Sequence, residues 1–166
     1  MRVPASRSAI VRGGVRHLAN VDAAAPYCLY YAPDPSSQIA CTIGGNVAEN
    51  SGGVHCLKYG LTVHNVLKVK GFTIEGDEVE FGSDALDTAG YDLLAIIIGS
   101  EGMLAVTTEV PVQLIPNPQL ARCIMASLDD LRKAGDAGAP GLASALIPAG
   151  LDRRDNPRPV PRRPLH

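Results

Sequence analysis

PDPSSQIACTIGGNVAENSGGVHCLKYGLTVHNVLKV, residues 33–69, is the stretch on which the fold of this chain turns. Pro33 and Pro35 flank Asp34, and because a proline restricts both itself and its predecessor the stretch opens on a turned or extended backbone. Ser36, Ser37 and Thr42 then bring hydroxyls close to Cys41. Gly44-Gly45-Asn46 and Gly52-Gly53 place four glycines in ten positions, where backbone without side chains can approach a ligand and present N–H groups to an anion. Asn46 could equally cap a helix that starts there. The spacing is neither the G-x-G-x-x-G fingerprint of dinucleotide-binding units nor a phosphate-binding loop, since no G-K-[ST] follows. Spacing alone therefore leaves two readings, a plain glycine-rich turn or a ligand loop.

Outward from this stretch the chain alternates short elements. SAIVR predicts a strand, and HLANVDAAA a short helix closed by Pro26. Residues Asn65–Glu75 and Glu78–Phe81, separated by Gly76-Asp77, predict a β-hairpin. GYDLLAIIIG, residues 90–99, is a buried helix or strand, and Asp87 or Thr88 would cap a helix there. Gly99-Ser100-Glu101-Gly102 forms a second tight loop before MLAVTTEVPVQLI, residues 103–115, whose composition is that of a strand with Pro111 suited to an edge or a bulge. RCIMASL predicts a strand, Asp129–Ala134 starts a helix, and the folded part is expected to end near Ala134 because Gly138, Pro140 and Gly141 interrupt the helical signal. The fold class is α+β.

Composition narrows the function. The chain has 166 residues, 46% of them hydrophobic, with net charge −2 and no apolar run near the ~18 residues of a membrane span. Between His17 and Ala121, Lys58, Lys68 and Lys70 stand against twelve carboxylates, the wrong sign for a nucleic-acid face. No secretory signal opens the sequence, so a cytoplasmic location is expected. Cys28, Cys41, Cys56 and Cys123 have no C-x-x-C spacing and read as buried thiols rather than as a disulfide framework. His55, Cys56 and His64 could be imagined around zinc, but a fourth ligand at metal spacing is missing. The histidines are scattered, which leaves hydrolytic triads and H-E-x-x-H sites unsupported.

Residues 33–69 closely resemble the first flavin segment found in FAD-linked subunits of glycolate oxidase, and YDLLAIIIGSEGMLAVTTEV, residues 91–110, resembles the second; both occur in the expected order. The wider group is the vanillyl-alcohol-oxidase-type flavoproteins, with D-lactate dehydrogenases and alkyl-dihydroxyacetonephosphate synthases. The resemblance implies the second α+β subdomain of a PCMH-type FAD-binding domain, truncated at both ends: residues 9–121 as a partial FAD-binding domain, 122–134 as the start of a C-terminal cap, and 135–166 as a degenerate, disordered tail. It implies FAD as cofactor, lined by Ser36, Ser37, Cys41, Thr42, Gly44, Gly45, Asn46, Glu49, Asn50, Gly52 and Gly53, with Glu101, Gly102, Leu104, Val106 and Thr107 as a second wall. Asn46 is still as good a helix cap as a ligand, and Cys41 could belong to the core.

The implied activity is that of a 2-hydroxy-acid oxidoreductase of glycolate oxidase or D-lactate dehydrogenase type, with hydride passing from substrate to flavin N5. The implied partners are the small hydroxy acid and other subunits of a glycolate oxidase complex, which could hold the protein at the inner membrane; the rival expectation is a non-catalytic remnant or docking fragment. Two departures stand out. Gly13 occupies a position where proline is usual, and Ala105 replaces the second glycine of the S-E-G-x-L-G pattern. The cap that would carry substrate-binding groups is barely represented, so the resemblance names no catalytic residue.

Overall fold

The computed structural model describes residues 7–83, 90–127, 130–143 and 147–151. Ser8–Arg12 forms β1, with Ala9 and Val11 buried and Ile10 and Arg12 outward, the period-two pattern of a strand with one covered face. After the Gly13-Gly14 turn, His17–Ala24 forms α1, which a single tight turn at Ala25–Tyr27 ends, with Pro26 inside it. Leu29–Tyr30 is β2, Ile43–Glu49 is α2, Cys56–Tyr59 is α3 and Thr62–Asn65 is α4. Lys68–Phe72 and Glu78–Gly82 are β3 and β4, the predicted hairpin. Leu93–Ile97 is α5, Val106–Gln113 is β5, Ile115–Pro116 is β6 and Leu131–Ala143 is α6.

The strands form a four-stranded antiparallel sheet in the order β1-β5-β3-β4, and β2 pairs separately with β6. One face is apolar. There α2 presents Ile43 and Val47 to a core that includes Val11, Val69, Val110 and Val112, all at most 3% exposed. The other face carries a cross-strand row of charge in which Lys70 lies 3.3 Å from Glu80 and 3.8 Å from Glu109. Such exposed pairs add little stability, about 0–1 kcal/mol each, but they keep this face in water. Among the described strands β1 is the outer one on its side, and beside it and α1 lies a cavity of about 620 Å³ lined by Ile10, Arg12, Val15, Asn20 and Glu109 among others.

Several local expectations are corrected. Pro111 is not at an edge, because β5 runs between β1 and β3, but it does lie at an irregularity in the pairing, where the register changes between Val66↔Val112 and Lys70↔Glu109. Its carbonyl accepts from Leu67 N–H at 2.9 Å, so its missing donor falls where β3 has not yet begun. The apolar segment 90–99 resolves as a helix capped by Asp92, whose carboxylate accepts from Ala95 N–H at 3.0 Å. Asp87 and Thr88 lie outside the described residues. Residues 122–127 form no strand: Ile124 and Met125 are at least 94% exposed, with no strand among the described residues to pair with. The interruption expected at Gly138, Pro140 and Gly141 is also corrected, since α6 continues through them to Ala143. Of the expected tail, residues 144–146 and 152–166 lie outside the described residues.

Candidate functional site

The glycine-rich stretch folds as a helix rather than a loop. Thr42 is its N-cap, extended, with Oγ1 accepting from Gly45 N–H at 3.1 Å. The two preceding amides are used as well: Ile43 N–H donates to the Val15 carbonyl at 2.9 Å and Gly44 N–H to the Gly13 carbonyl at 2.8 Å. The expectation that Gly44 and Gly45 offer amides to an anion is thereby corrected, because the fold has already taken them. Gly44 is glycine for a packing reason, since a Cβ there would meet the Gly13 oxygen at 3.0 Å. Gly45 is exposed, and a Cβ on it would touch only Thr42 Oγ1, at 3.3 Å.

Asn46 does not cap the helix, which Thr42 does. It is 2% exposed and its Nδ2 donates to His17 Nδ1 at 2.9 Å. His17 is fully buried, with its ring 5.4 Å from that of Tyr31. Burial lowers its pKa, against the smaller opposing pull of the Pro33 carbonyl and the Asp34 carboxylate. The four cysteines are free but not buried as expected: Cys28, Cys56 and Cys123 are exposed, and Cys41 is half-buried, its carbonyl accepting from His17 N–H at 2.9 Å.

At its other end α2 meets the second motif. Asn50 takes a left-handed backbone (φ 48°) as the C-cap, and its Oδ1 accepts from Val63 N–H at 3.0 Å. The carbonyls of Val47 and Ala48 accept from Gly99 N–H at 2.8 Å and Glu101 N–H at 2.9 Å. Two segments some fifty residues apart are thus hydrogen-bonded through one short helix. Glu49, Glu101 and Gly102 lie exposed at this junction, Leu104 and Val106 are 51% and 68% exposed beyond it, and Thr107 is half-buried in β5.

A third junction joins Asp34 to the Gly52–His55 turn. A Cβ at Gly53 would collide with the Asp34 carbonyl oxygen at 2.2 Å, so the chains approach at a distance only glycine allows. The Asp34 carboxylate accepts from His55 backbone N–H at 3.3 Å through Oδ1 and pairs with the His55 ring through Oδ2. Tyr30 and Tyr59 meet edge to face beside it at 6.2 Å. Gly52 packs against Leu61, while Ser36 and Ser37 stand exposed just after the Asp34 turn. Sequence spacing could not find this pair, because its members are 21 residues apart and the turn prolines alone accounted for the local pattern.

What faces outward beside α2 is a set of uncharged hydroxyl donors, those of Ser36, Ser37 and half-buried Thr42, next to the exposed Cα of Gly45, whose amide is already bonded to Thr42. No lysine or arginine is among these residues. That donor set fits a ligand rich in carbonyl and phosphate oxygens that is held by neutral hydrogen bonds, as an extended dinucleotide would be.

Comparisons with known proteins agree. Residues 3–82 match the family described as FAD binding domain. The chain is 61% identical over 153 residues to glycolate oxidase subunit GlcD of Escherichia coli K12, covering 92% of this chain and 31% of that protein. It is 38% identical over 104 residues to a D-lactate dehydrogenase of Anaerostipes hadrus, covering 62% of this chain and 22% of that protein. A solved alkyldihydroxyacetonephosphate synthase superposes with a TM-score of 0.72 at 23% identity, over 87% of this chain and 26% of that one. The chain therefore spans about a third or less of the length of these relatives.

Proposed function

The chain carries an FAD binding domain of the FAD-linked oxidoreductases, and from that premise we propose that it supplies the flavin-holding part of a 2-hydroxy-acid oxidoreductase of glycolate oxidase or D-lactate dehydrogenase type. The observation that carries the proposal is the hydrogen-bonded junction of the two motif segments through α2, which gathers Thr42, Gly45, Glu49, Asn50, Glu101 and Gly102 on one short helix and its neighbouring loop. Ser36, Ser37 and Thr42 would hold polar atoms of the cofactor, which would lie close over exposed Gly45, where no side chain intervenes. Leu104 and Val106, exposed and apolar, would cover one of its flat faces. Gly52 and Gly53 contribute by letting the Asp34 turn close on the next segment. Bound FAD would supply a two-electron acceptor, with hydride passing from the substrate carbon to N5. Assembly with other subunits of a glycolate oxidase complex, and attachment through them to the inner membrane from the cytoplasmic side, belong to the same proposal.

Titration of FAD into the chain, followed by flavin fluorescence, tests the reading. Saturable binding at micromolar concentration or weaker is expected, and Gly45→Val should weaken it at least about tenfold by blocking backbone approach. Fluorescence that never saturates, or a Gly45→Val protein that binds as the parent does, would overturn it.

A further inference from the structure

The start of α1 is laced to the stretch that carries the proposed cofactor hydroxyls. His17 N–H donates to the Cys41 carbonyl at 2.9 Å and Leu18 N–H to the Gln38 carbonyl at 3.2 Å, while Arg16 and Thr42 pair as an isolated bridge. In the other direction Ile43 N–H donates to the Val15 carbonyl. The His17 ring is fully buried at this junction, where its Nδ1 accepts from Asn46 Nδ2 of α2 at 2.9 Å. One residue thus holds residues 38–41 through its backbone neighbourhood and α2 through its ring.

That ring has nowhere to put a charge. Its Nε2 is buried without a hydrogen-bond partner among the described residues, and as the first residue of α1 it sits where the helix dipole is positive and opposes a cation. Asn46 could turn its amide to accept from a protonated Nδ1, but the Nε2 hydrogen would still lack an acceptor. The groups that face the ring supply no counter-ion in contact. Tyr31, whose ring is 5.4 Å away, is itself held neutral by burial, Cys41 is a free thiol, and α2 presents uncharged Asn46. The Asp34 carboxylate favours the charged form, but it is paired with His55. A proton is therefore accommodated by moving the ring into water, which parts α1 from residues 38–43 and from α2. Resting on the flavin assignment above, we propose that His17 is a proton-operated latch on the flavin site: neutral, it holds residues 36–42 and α2 in the arrangement that takes FAD, and protonated, it lets them separate and the cofactor leave. FAD and the proton then compete, each weakening the binding of the other by the same factor.

Two measurements on the whole chain test this. The first is titration of FAD, which has no group that titrates in the interval, at about pH 7.5 and about pH 5, with far-ultraviolet circular dichroism recorded alongside. Kd should rise at least about threefold at the lower pH while the dichroism stays unchanged, and a single proton limits the rise to about tenfold per pH unit. His17→Gln keeps an uncharged acceptor for Asn46 and should bind FAD alike at both pH values. The second measurement needs no variant. Nitrogen-15 NMR follows protonation of the His17 ring, and saturating FAD should lower its midpoint by at least about half a pH unit, the counterpart of the threefold change. A midpoint that FAD does not move, a Kd equal at the two pH values, or a His17→Gln chain that keeps the parental pH dependence overturns the latch and leaves the flavin reading standing. Loss of the dichroism in step with FAD binding also overturns it, since the release would then be global unfolding. A chain that saturates with FAD at neither pH overturns both.

Discussion

Gly44 and Gly45 are adjacent in sequence, and the structure predicts opposite signs for the same substitution in each. A methyl on Gly44 would lie 3.0, 3.2 and 3.3 Å from the oxygen, Cα and carbonyl carbon of Gly13. These are backbone atoms of a turn that is itself anchored, since Gly13 N–H donates to the Thr108 carbonyl of β5 at 2.8 Å. Relief must come from separating α2 from that turn. Overpacking of this kind costs about 1–3 kcal/mol, and weakening the Gly44–Gly13 hydrogen bond adds about 1 kcal/mol. The helical preference of alanine over glycine returns about 0.5–1 kcal/mol. Gly44→Ala should therefore destabilise by about 2 kcal/mol, lowering Tm by about 4–8 °C in a chain of this size. Gly45→Ala meets only the cap hydroxyl at 3.3 Å and keeps the propensity gain, so its Tm should rise by about 1–4 °C. Thermal unfolding followed by far-ultraviolet circular dichroism gives both values. Equal losses at the two positions, or no loss at Gly44, would refute the assignment of Gly44 to chain packing and of Gly45 to an open surface.

Asn46→Ala should destabilise by about 2 kcal/mol, because it leaves buried His17 Nδ1 without a partner beside an Nε2 that already has none; denaturant titration measures it. His17 also makes stability depend on pH. Its pKa is lowered in the folded chain, so as pH falls below about 6.5 the unfolded chain takes up the proton first, and stability that is complete above that value is lost at up to about 1.4 kcal/mol per pH unit. Melts between about pH 7.5 and about pH 5 should show this decline, and His17→Gln should flatten it.

How far the sequence reached depended on whether the deciding interaction was local. The strand Ser8–Arg12, the helix from His17 and the Lys68–Gly82 hairpin could all be read because alternation, Pro26 and Gly76-Asp77 act within a few residues of the elements they define. The glycine cluster could not be settled from within, because what makes it a helix is the Gly13–Val15 turn accepting its first amides from thirty residues upstream. Asn46 looked like a cap or a ligand for the same reason: its partner, His17, is 29 residues away. That Pro111 lies inside the sheet and not at its edge could not be read, because strand order is a tertiary property. Among the site residues, the two segments proposed as cofactor walls were legible, while the Asp34–His55 pair between them was not.

Those walls depend on each other through α2, and physical size explains why. A helix of seven residues is far below the ~12–15 needed for an isolated helix to persist in water, so α2 exists only because both ends are held. The Gly13–Val15 turn and the Thr42 cap take its first amides, while Gly99 and Glu101 bind its last carbonyls. Two of these holds come from the sheet side and from the second motif, neither of them near α2 in sequence. Loosening the 99–101 loop should therefore disturb Thr42 and Gly45 at the far end of the helix, with no contact between them. Ile43 and Val47, buried against β5, carry that coupling as one rigid turn and a half of helix, which is why a change in either wall is expected to be felt in the other.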